Sequence, residues 1–199
     1  MKLRFALLLG ALTIVSLSSH VQAQQVQVGE IDVKIEYDTQ KTPAFEAGGV
    51  KGKDIPNPLD WLEVEVEFEV DARPNDAVIP DLMFRYHIAI ESDSGQTQVL
   101  TGDVKHVNVV AGEEIFSVAY VSPSTLGKIT GDFRRFQPSA VKSVAVEVFY
   151  GGVLKGGDST AGSGRWWEQL PSSQGVLAKH ETPFALLWLD RYADVEQTR

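Results

Sequence analysis

The sequence contains no cysteine. A chain without thiols forms no disulfides, so an exported form of it must be held together by its core alone. The same absence excludes thiolate metal sites, a thiol nucleophile and lipid attachment through a cysteine. The sequence also has no HExxH pair, GxSxG nucleophile elbow, Walker loop or GxGxxG segment before a helix. We therefore expect no enzymatic activity, no catalytic residues, no cofactor and no metal.

Basic residues are scarce relative to acidic ones, at 18 against 27, which gives a formal net charge of −9. An acidic surface disfavours nucleic acid and anionic membranes as partners. Long apolar runs are missing after residue 23, where none approaches the roughly 20 residues of a membrane span. We expect no nucleic-acid partner and no integral membrane span in the mature protein.

The first 23 residues have the pattern of a secretory signal peptide. Lys2 and Arg4 form a cationic start, residues 5–17 are apolar, and Val21-Gln22-Ala23 offers small residues where a signal peptidase reads. The apolar run is short for an uncleaved anchor, which is the alternative. We expect cleavage after Ala23 and a single domain over residues 24–199, exported to the periplasm or the cell surface.

Most of the mature chain alternates apolar and polar residues with a period of two, which predicts strands with one buried side. The predicted strands are Ile31 to Tyr37, Leu62 to Val70, Leu82 to Ile90, Gln98–Leu100, Val104–Val110, Glu114–Val121, Val141–Tyr150 and Val153–Leu154. In the first three, every second residue from the first one named is apolar. The four glutamates between Glu63 and Glu69 could suggest calcium, but their pattern favours a solvated strand face.

The connections carry turn and cap residues. Glu91 to Gly95 predicts a hairpin loop, and Thr39 to Pro58 predicts a polar connection. Ser122-Pro123, followed by Leu126, Ile129 and Phe133, predicts one short capped helix. Short strands joined by turns and one crossover helix indicate an all-β fold, an antiparallel β-sandwich.

The last third of the sequence departs from this pattern. Gly151 to Gly164 holds six glycines and predicts a hairpin tip or a mobile loop. Phe184 to Leu189 is continuously apolar, and both a buried strand and a short helix fit it.

The four tryptophans are the best functional hint, because exposed aromatic rings suit a protein partner or a sugar ring. Apolar neighbours predict core positions for Trp61 and Trp188. Arg165, Trp166 and Trp167 follow the glycine-rich stretch and form the candidate interaction site. We expect the pair of tryptophans to anchor a partner, with exposed apolar surface concentrated around them.

The tail and parts of the domain resemble a known family. The segments that carry this resemblance are Trp166-Trp167, Gly175–Lys179, Thr182–Ala185, Trp188–Tyr192, Glu63–Val70 and Ser122–Phe133. They are similar to pilus-like exported proteins of Akkermansia-type Verrucomicrobia. The resemblance implies an immunoglobulin-like β-sandwich linked with pilus-type surface structures, and it implies no enzymatic residues. The N-terminus departs from a type IV prepilin leader, which favours ordinary signal-peptidase export over a role as the major fibre subunit.

These observations lead to a non-enzymatic interaction protein at the cell envelope, with pilus components among its protein partners. The alternative is a carbohydrate-binding module that recognises glycans through exposed tryptophans. A hydrolase with a dispersed site is a third, weaker interpretation.

Overall fold

A computed structural model describes residues 26–45, 52, 55–162 and 164–196. The predicted signal peptide and its cleavage position lie outside these residues. The chain forms nine strands and one α-helix in the described part. The strands are β1 (Gln27–Lys41), β2 (Asp60–Arg73), β3 (Val78–Glu91), β4 (Thr97–Val110), β5 (Ile115–Val121), β6 (Val141–Tyr150), β7 (Val153–Ser159), β8 (Ser172–Gln174) and β9 (Val176–Ala178). The helix α1 (Pro123–Thr130) connects β5 towards β6.

The strands follow the order β8-β4-β3-β6-β7-β1-β2-β5-β9. Most pairs are antiparallel, while β1–β7 and β4–β8 are parallel. The β1–β7 pairing joins only Ile31 to Gly156, and a Cβ at Gly156 would collide with the Ile31 carbonyl oxygen. Across the core, Phe68 of β2 packs on Phe84 of β3 with ring centroids 4.7 Å apart. The two halves of the sheet therefore face one another, which confirms the predicted all-β sandwich with one short helix.

The apolar residues of the period-two pattern form much of the hydrophobic core. The buried apolar positions of β2 and β3 are Leu62, Val64, Val66, Phe68, Val70, Leu82, Phe84, Tyr86, Ile88 and Ile90. Each of these lies where the alternation places it, so the register predicted for both strands is confirmed. Ser122 caps α1 as predicted, its hydroxyl accepting from the Thr125 amide at 3.2 Å.

Three predicted boundaries were wrong. Strand β1 continues to Lys41, so the polar connection begins later than Thr39. Strand β7 takes up much of the glycine-rich stretch, because backbone pairing to β6 needs no side chains. Helix α1 ends at Gly131 in the left-handed conformation, and Phe133 lies beyond it, exposed.

Among the described residues, no helix combines the length and the apolar character that a membrane crossing requires.

Candidate functional site

The predicted site at Arg165, Trp166 and Trp167 lies on the outer face of β3 and β6. Trp166 and Trp167 belong to a 3₁₀ turn (Trp166–Gln169) and both are half-buried. The Trp167 ring stacks on the His87 ring at 4.8 Å between centroids, and Trp166 meets Trp167 edge-on at 5.4 Å. The indole nitrogen of Trp166 donates to the Ser159 hydroxyl at 2.9 Å. This turn is therefore packed onto the sandwich.

Beneath Trp167 lies a buried pair of polar side chains. His87 faces outward by strand alternation, as predicted, but the turn covers it. Its Nε2 lies 3.0 Å from Glu147 Oε2, and Arg165 donates to Glu147 Oε1 at 2.7 Å. A carboxylate only accepts, so neutral His87 carries its proton on Nε2, and its buried Nδ1 has no hydrogen-bond partner among the described residues. Burial lowers the pKa of His87, although the bond to Glu147 opposes this change.

An open groove of about 660 Å³ adjoins this cluster. Glycines 156 and 157 of β7 form a floor without side chains, while Arg165 and Trp167 border one side. Glu147 and Asp158 also line it, and the groove can hold a polar ligand of modest size. In the described part of the chain, no group of three His, Asp or Glu side chains is placed to hold a metal ion.

The C-terminal segment, residues 179–196, covers the other outer face. Phe184 is buried and stacks on Tyr120 at 4.5 Å between centroids, with Trp61 edge-on to Phe184 at 5.7 Å. Trp61 is half-buried, in agreement with its predicted packing role.

A polar anchor holds the end of this segment. Arg191 pairs with Glu65 through two nitrogens and lies 3.9 Å above the Phe116 ring, while the Tyr192 hydroxyl donates to Glu65 at 2.8 Å. Burial raises the pKa of Glu65, but the bonds from Arg191 and Tyr192 outweigh it and leave the pKa below its ordinary value. The glutamate face of β2 thus works in part as an anchor for the C-terminal segment.

A second buried network fastens the segment to the core. His106 Nδ1 lies 3.1 Å from the Ala193 carbonyl, and its Nε2 lies 2.6 Å from Ser117 Oγ, which in turn contacts the Tyr86 hydroxyl at 2.6 Å. A carbonyl accepts, so the neutral ring donates from Nδ1 and accepts the Ser117 proton at Nε2. Burial lowers the pKa of His106 to about 4, so the ring is neutral at pH 7.

Between the buried Phe184 and the Arg191–Glu65 anchor, the chain presents an apolar turn to solvent. Leu186, Trp188 and Leu189 are 74%, 48% and 61% exposed. Trp188 has a φ of 50°, which a bulky side chain rarely adopts. The prediction of a buried strand or helix over Phe184 to Leu189 was wrong, as was a core position for Trp188. Consecutive turns, closed by Leu187 N–Phe184 O and Arg191 N–Trp188 O bonds, replace both. We call Leu186–Leu189 the apolar turn.

Sequence patterns missed the apolar turn because a run of apolar residues is usually buried. The exposed apolar surface expected around Trp166 and Trp167 is larger at this turn, where three of four consecutive side chains face solvent. The sequence did contain one signal. The apolar run lies between Pro183 and Asp190-Arg191, and it is too short for a typical helix.

The packing of Trp167 yields a first prediction. Trp167→Ala should uncover the His87–Glu147 pair and lower the free energy of unfolding by about 2 kcal/mol, less than for a fully buried aromatic. Trp188→Ala is the matched control and should change stability by no more than about 0.5 kcal/mol. Chemical denaturation of both variants measures this; equal losses would show that Trp167 does not seal the pair.

Comparisons with known proteins place the chain in a family. A family model matches residues 19–199. A crystal structure of a protein from Akkermansia muciniphila is similar, with a TM-score of 0.74 and 30% sequence identity over 88% of this chain and 96% of that one. A search of curated proteins gives no match. The chain belongs to the family that this Akkermansia muciniphila protein represents, in agreement with the resemblance found in its sequence.

Proposed function

We propose that the protein is an exported, non-enzymatic interaction protein that binds protein partners at the cell envelope, pilus components among them. The observation that carries this proposal is the apolar turn. Soluble monomers rarely expose neighbouring large apolar side chains, and contiguous patches of this kind mark interaction sites. Tryptophan and leucine in such a turn provide contact area with little ordering cost, because the turn is already fixed.

The anchors of the turn support a binding role. Phe184 packs on Tyr120 before the turn and Arg191 pairs with Glu65 after it, so the exposed side chains are displayed by a rigid support. A preorganised surface loses less conformational entropy on binding than a free loop does. The strained backbone of Trp188 is consistent with a display function, because strain of this kind clusters at functional sites.

The non-enzymatic part of the proposal draws on the buried titratable groups. His106 is bonded at both ring nitrogens, and His87 is paired with Glu147 beneath Trp167. Groups held in this way serve packing and anchoring, whereas a general base needs access to a substrate proton. Export is supported by the signal-peptide pattern of residues 1–23.

A capture experiment tests the proposal. The purified mature protein and a Leu186→Ser/Leu189→Ser variant are used as bait for a solubilised envelope fraction of the source cells. We expect an envelope protein, identified by mass spectrometry, to bind the unaltered bait and to lose about tenfold or more in affinity for the variant, as hot-spot residues do.

A Val78→Ser/Val153→Ser variant is the matched control, because these valines are also about half exposed but lie away from the turn. It should bind as the unaltered protein does. Equal binding by all three baits would contradict a role for the apolar turn.

Glycan binding at the groove beside Trp167 is the second candidate. The groove combines an aromatic wall with three carboxylates, a combination that sugar sites use. Retention on a glycan array that is lost on Asp158→Asn would favour this candidate over protein binding. Asp158 is exposed, so the substitution should leave the fold intact.

A further inference from the structure

Strand β1 has a long unpaired edge. Its one pairing with β7 is at Ile31, and among the described residues no strand pairs with the same edge of β1 from Asp32 to Lys41. Every second backbone amide and carbonyl of this stretch therefore points away from β2 without a strand partner. Such an edge is a template for one more strand.

The usual protections against strand addition are weak here. Proteins blunt exposed edges with short strands, bulges, prolines or charges that point inward. The register of β1 with β2 is continuous from Ile31 to Lys41, and this stretch contains no proline. As far as Tyr37 its inward-facing residues are apolar (Val33, Ile35 and Tyr37), and Thr39 and Lys41 follow on the same side.

The apolar side of the edge is incompletely covered. Ile31 is 2% exposed where β7 pairs with it, Val33 and Ile35 are half-buried, and Tyr37 is 37% exposed. Exposure of these side chains increases along β1 with distance from its pairing with β7. An added strand with apolar residues on its inner side would complete the cover.

The outer side of the edge is acidic. Asp32, Glu36 and Asp38 of β1 are exposed there, with Lys34 among them. Their cross-strand neighbours on β2 are Glu69, Glu65, Glu63 and, opposite Lys34, Glu67. Like charges directly opposite destabilise a strand pair. In a pair of two β1 strands, Asp32, Glu36 and Asp38 of one copy would lie beside the same acidic residues of the other copy. The charge pattern disfavours self-pairing and favours a basic strand.

We propose that the β1 edge, Asp32–Lys41, accepts an extended basic segment of a partner protein as an additional strand. In that segment, apolar residues alternate with Lys or Arg. The apolar residues pack beside Val33, Ile35 and Tyr37, and the basic residues lie beside Asp32, Glu36 and Asp38. This surface uses no residue of the apolar turn, so the two interactions can be tested separately.

Three synthetic peptides of about ten residues, the length of the free edge, test the proposal. The first alternates Lys with Val or Ile. The second replaces every Lys by Glu. The third has the first sequence with N-methylated backbone amides on one edge, which keeps the side chains and charge but removes strand hydrogen bonds. Binding is measured by calorimetry, and residue-specific hydrogen exchange follows the amides of β1.

We expect the basic peptide to bind and to slow exchange at alternate amides between residues 32 and 41. The acidic and the N-methylated peptides should each bind about tenfold or more weakly. A Glu36→Lys/Asp38→Lys variant should lose the basic peptide to a similar extent. Glu113→Lys/Glu114→Lys changes the net charge equally in an exposed turn and should retain it.

Other outcomes would overturn the proposal. No binding, or equal binding of the N-methylated peptide without slower exchange, would exclude strand addition. Equal binding of the acidic peptide would exclude the charge preference. Protection of the β1 amides that grows with protein concentration alone would assign the edge to a second copy. The Leu186→Ser/Leu189→Ser variant should bind the peptide normally, which separates this result from failure of the proposed function.

Discussion

Phe68→Ala is expected to lower the free energy of unfolding by about 3–5 kcal/mol, the usual range for removing a buried aromatic ring. Phe68 is 2% exposed and contacts both the Phe84 ring and the His106 ring, whose centroids are 4.7 and 6.1 Å away. Its loss leaves a cavity between the two halves of the sandwich. Urea denaturation of the purified mature domain measures the change.

The control for this prediction is its neighbour in the sequence. Glu67 points to the opposite face of β2 and makes only a long contact of 3.5 Å with Lys34. Glu67→Gln should change stability by no more than about 0.5 kcal/mol. Similar losses in the two variants would mean that the register of β2 is wrong.

Mild acid should destabilise the protein through His106. In the unfolded chain the residue binds a proton near its ordinary pKa of 6.5, whereas burial keeps it neutral in the folded protein down to about pH 4. Below pH 6.5 the unfolded state therefore binds more protons, and stability falls as the pH falls. The gap between these pKa values corresponds to about 3 kcal/mol, and His87, whose pKa is also lowered, acts in the same direction.

The window from pH 6.5 to 5.5 isolates the histidines, because Glu65, whose pKa is lowered from its ordinary value of 4.5, acts mainly at lower pH. Unfolding free energies measured across this window should decline, and the slope should be smaller in His106→Gln. Should that variant fail to fold, an NMR titration of the His106 ring serves instead. It should show no protonation at pH 5 in the folded protein, in contrast to the urea-unfolded chain. Protonation near pH 6.5 in the folded state would contradict the neutral, doubly bonded ring.

Strand β2 was predictable because it has one covered and one more open side. In β2 the alternation of Val66 and Phe68 with Glu65 and Glu67 determines register by itself, since a shift of one residue would bury the glutamates. The cap at Ser122 was predictable for a similar reason, because its chemistry involves residues only three apart.

Contacts between distant parts of the chain were not predictable. His87 lies on the outward side of its strand and is buried only because Trp167, eighty residues later, stacks on it. The period-two pattern contains no information about that cover. Trp188 shows the opposite case, because Phe184 of its apolar run fills the available site on Tyr120, while Leu186, Trp188 and Leu189 stay exposed.

The candidate site was therefore predicted in part. Arg165 and Trp167 do border the open groove, whereas Trp166 packs on Trp167 and Ser159, and the role of all three in binding stays a prediction. The apolar turn and the free edge of β1 could be identified only from the structure, because a surface is recognised as uncovered only when the packing of the other described residues is known. The charge of the β1 and β2 outer face, in contrast, was predictable from the sequence, because acidic residues occupy most of the alternate positions of both strands.

Site-specific photo-crosslinking in the exporting cell tests the central claim, a partner-binding protein of the envelope, most directly. A photoreactive amino acid replaces Leu186 in one strain and Val78 in another, and adducts are identified after cell fractionation. We expect the Leu186 probe to crosslink to a specific envelope protein in the periplasmic or surface fraction, and the Val78 probe to give no such adduct. A protein that stays in the cytoplasm, or a Leu186 probe that yields no adduct beyond those at Val78, would contradict the claim.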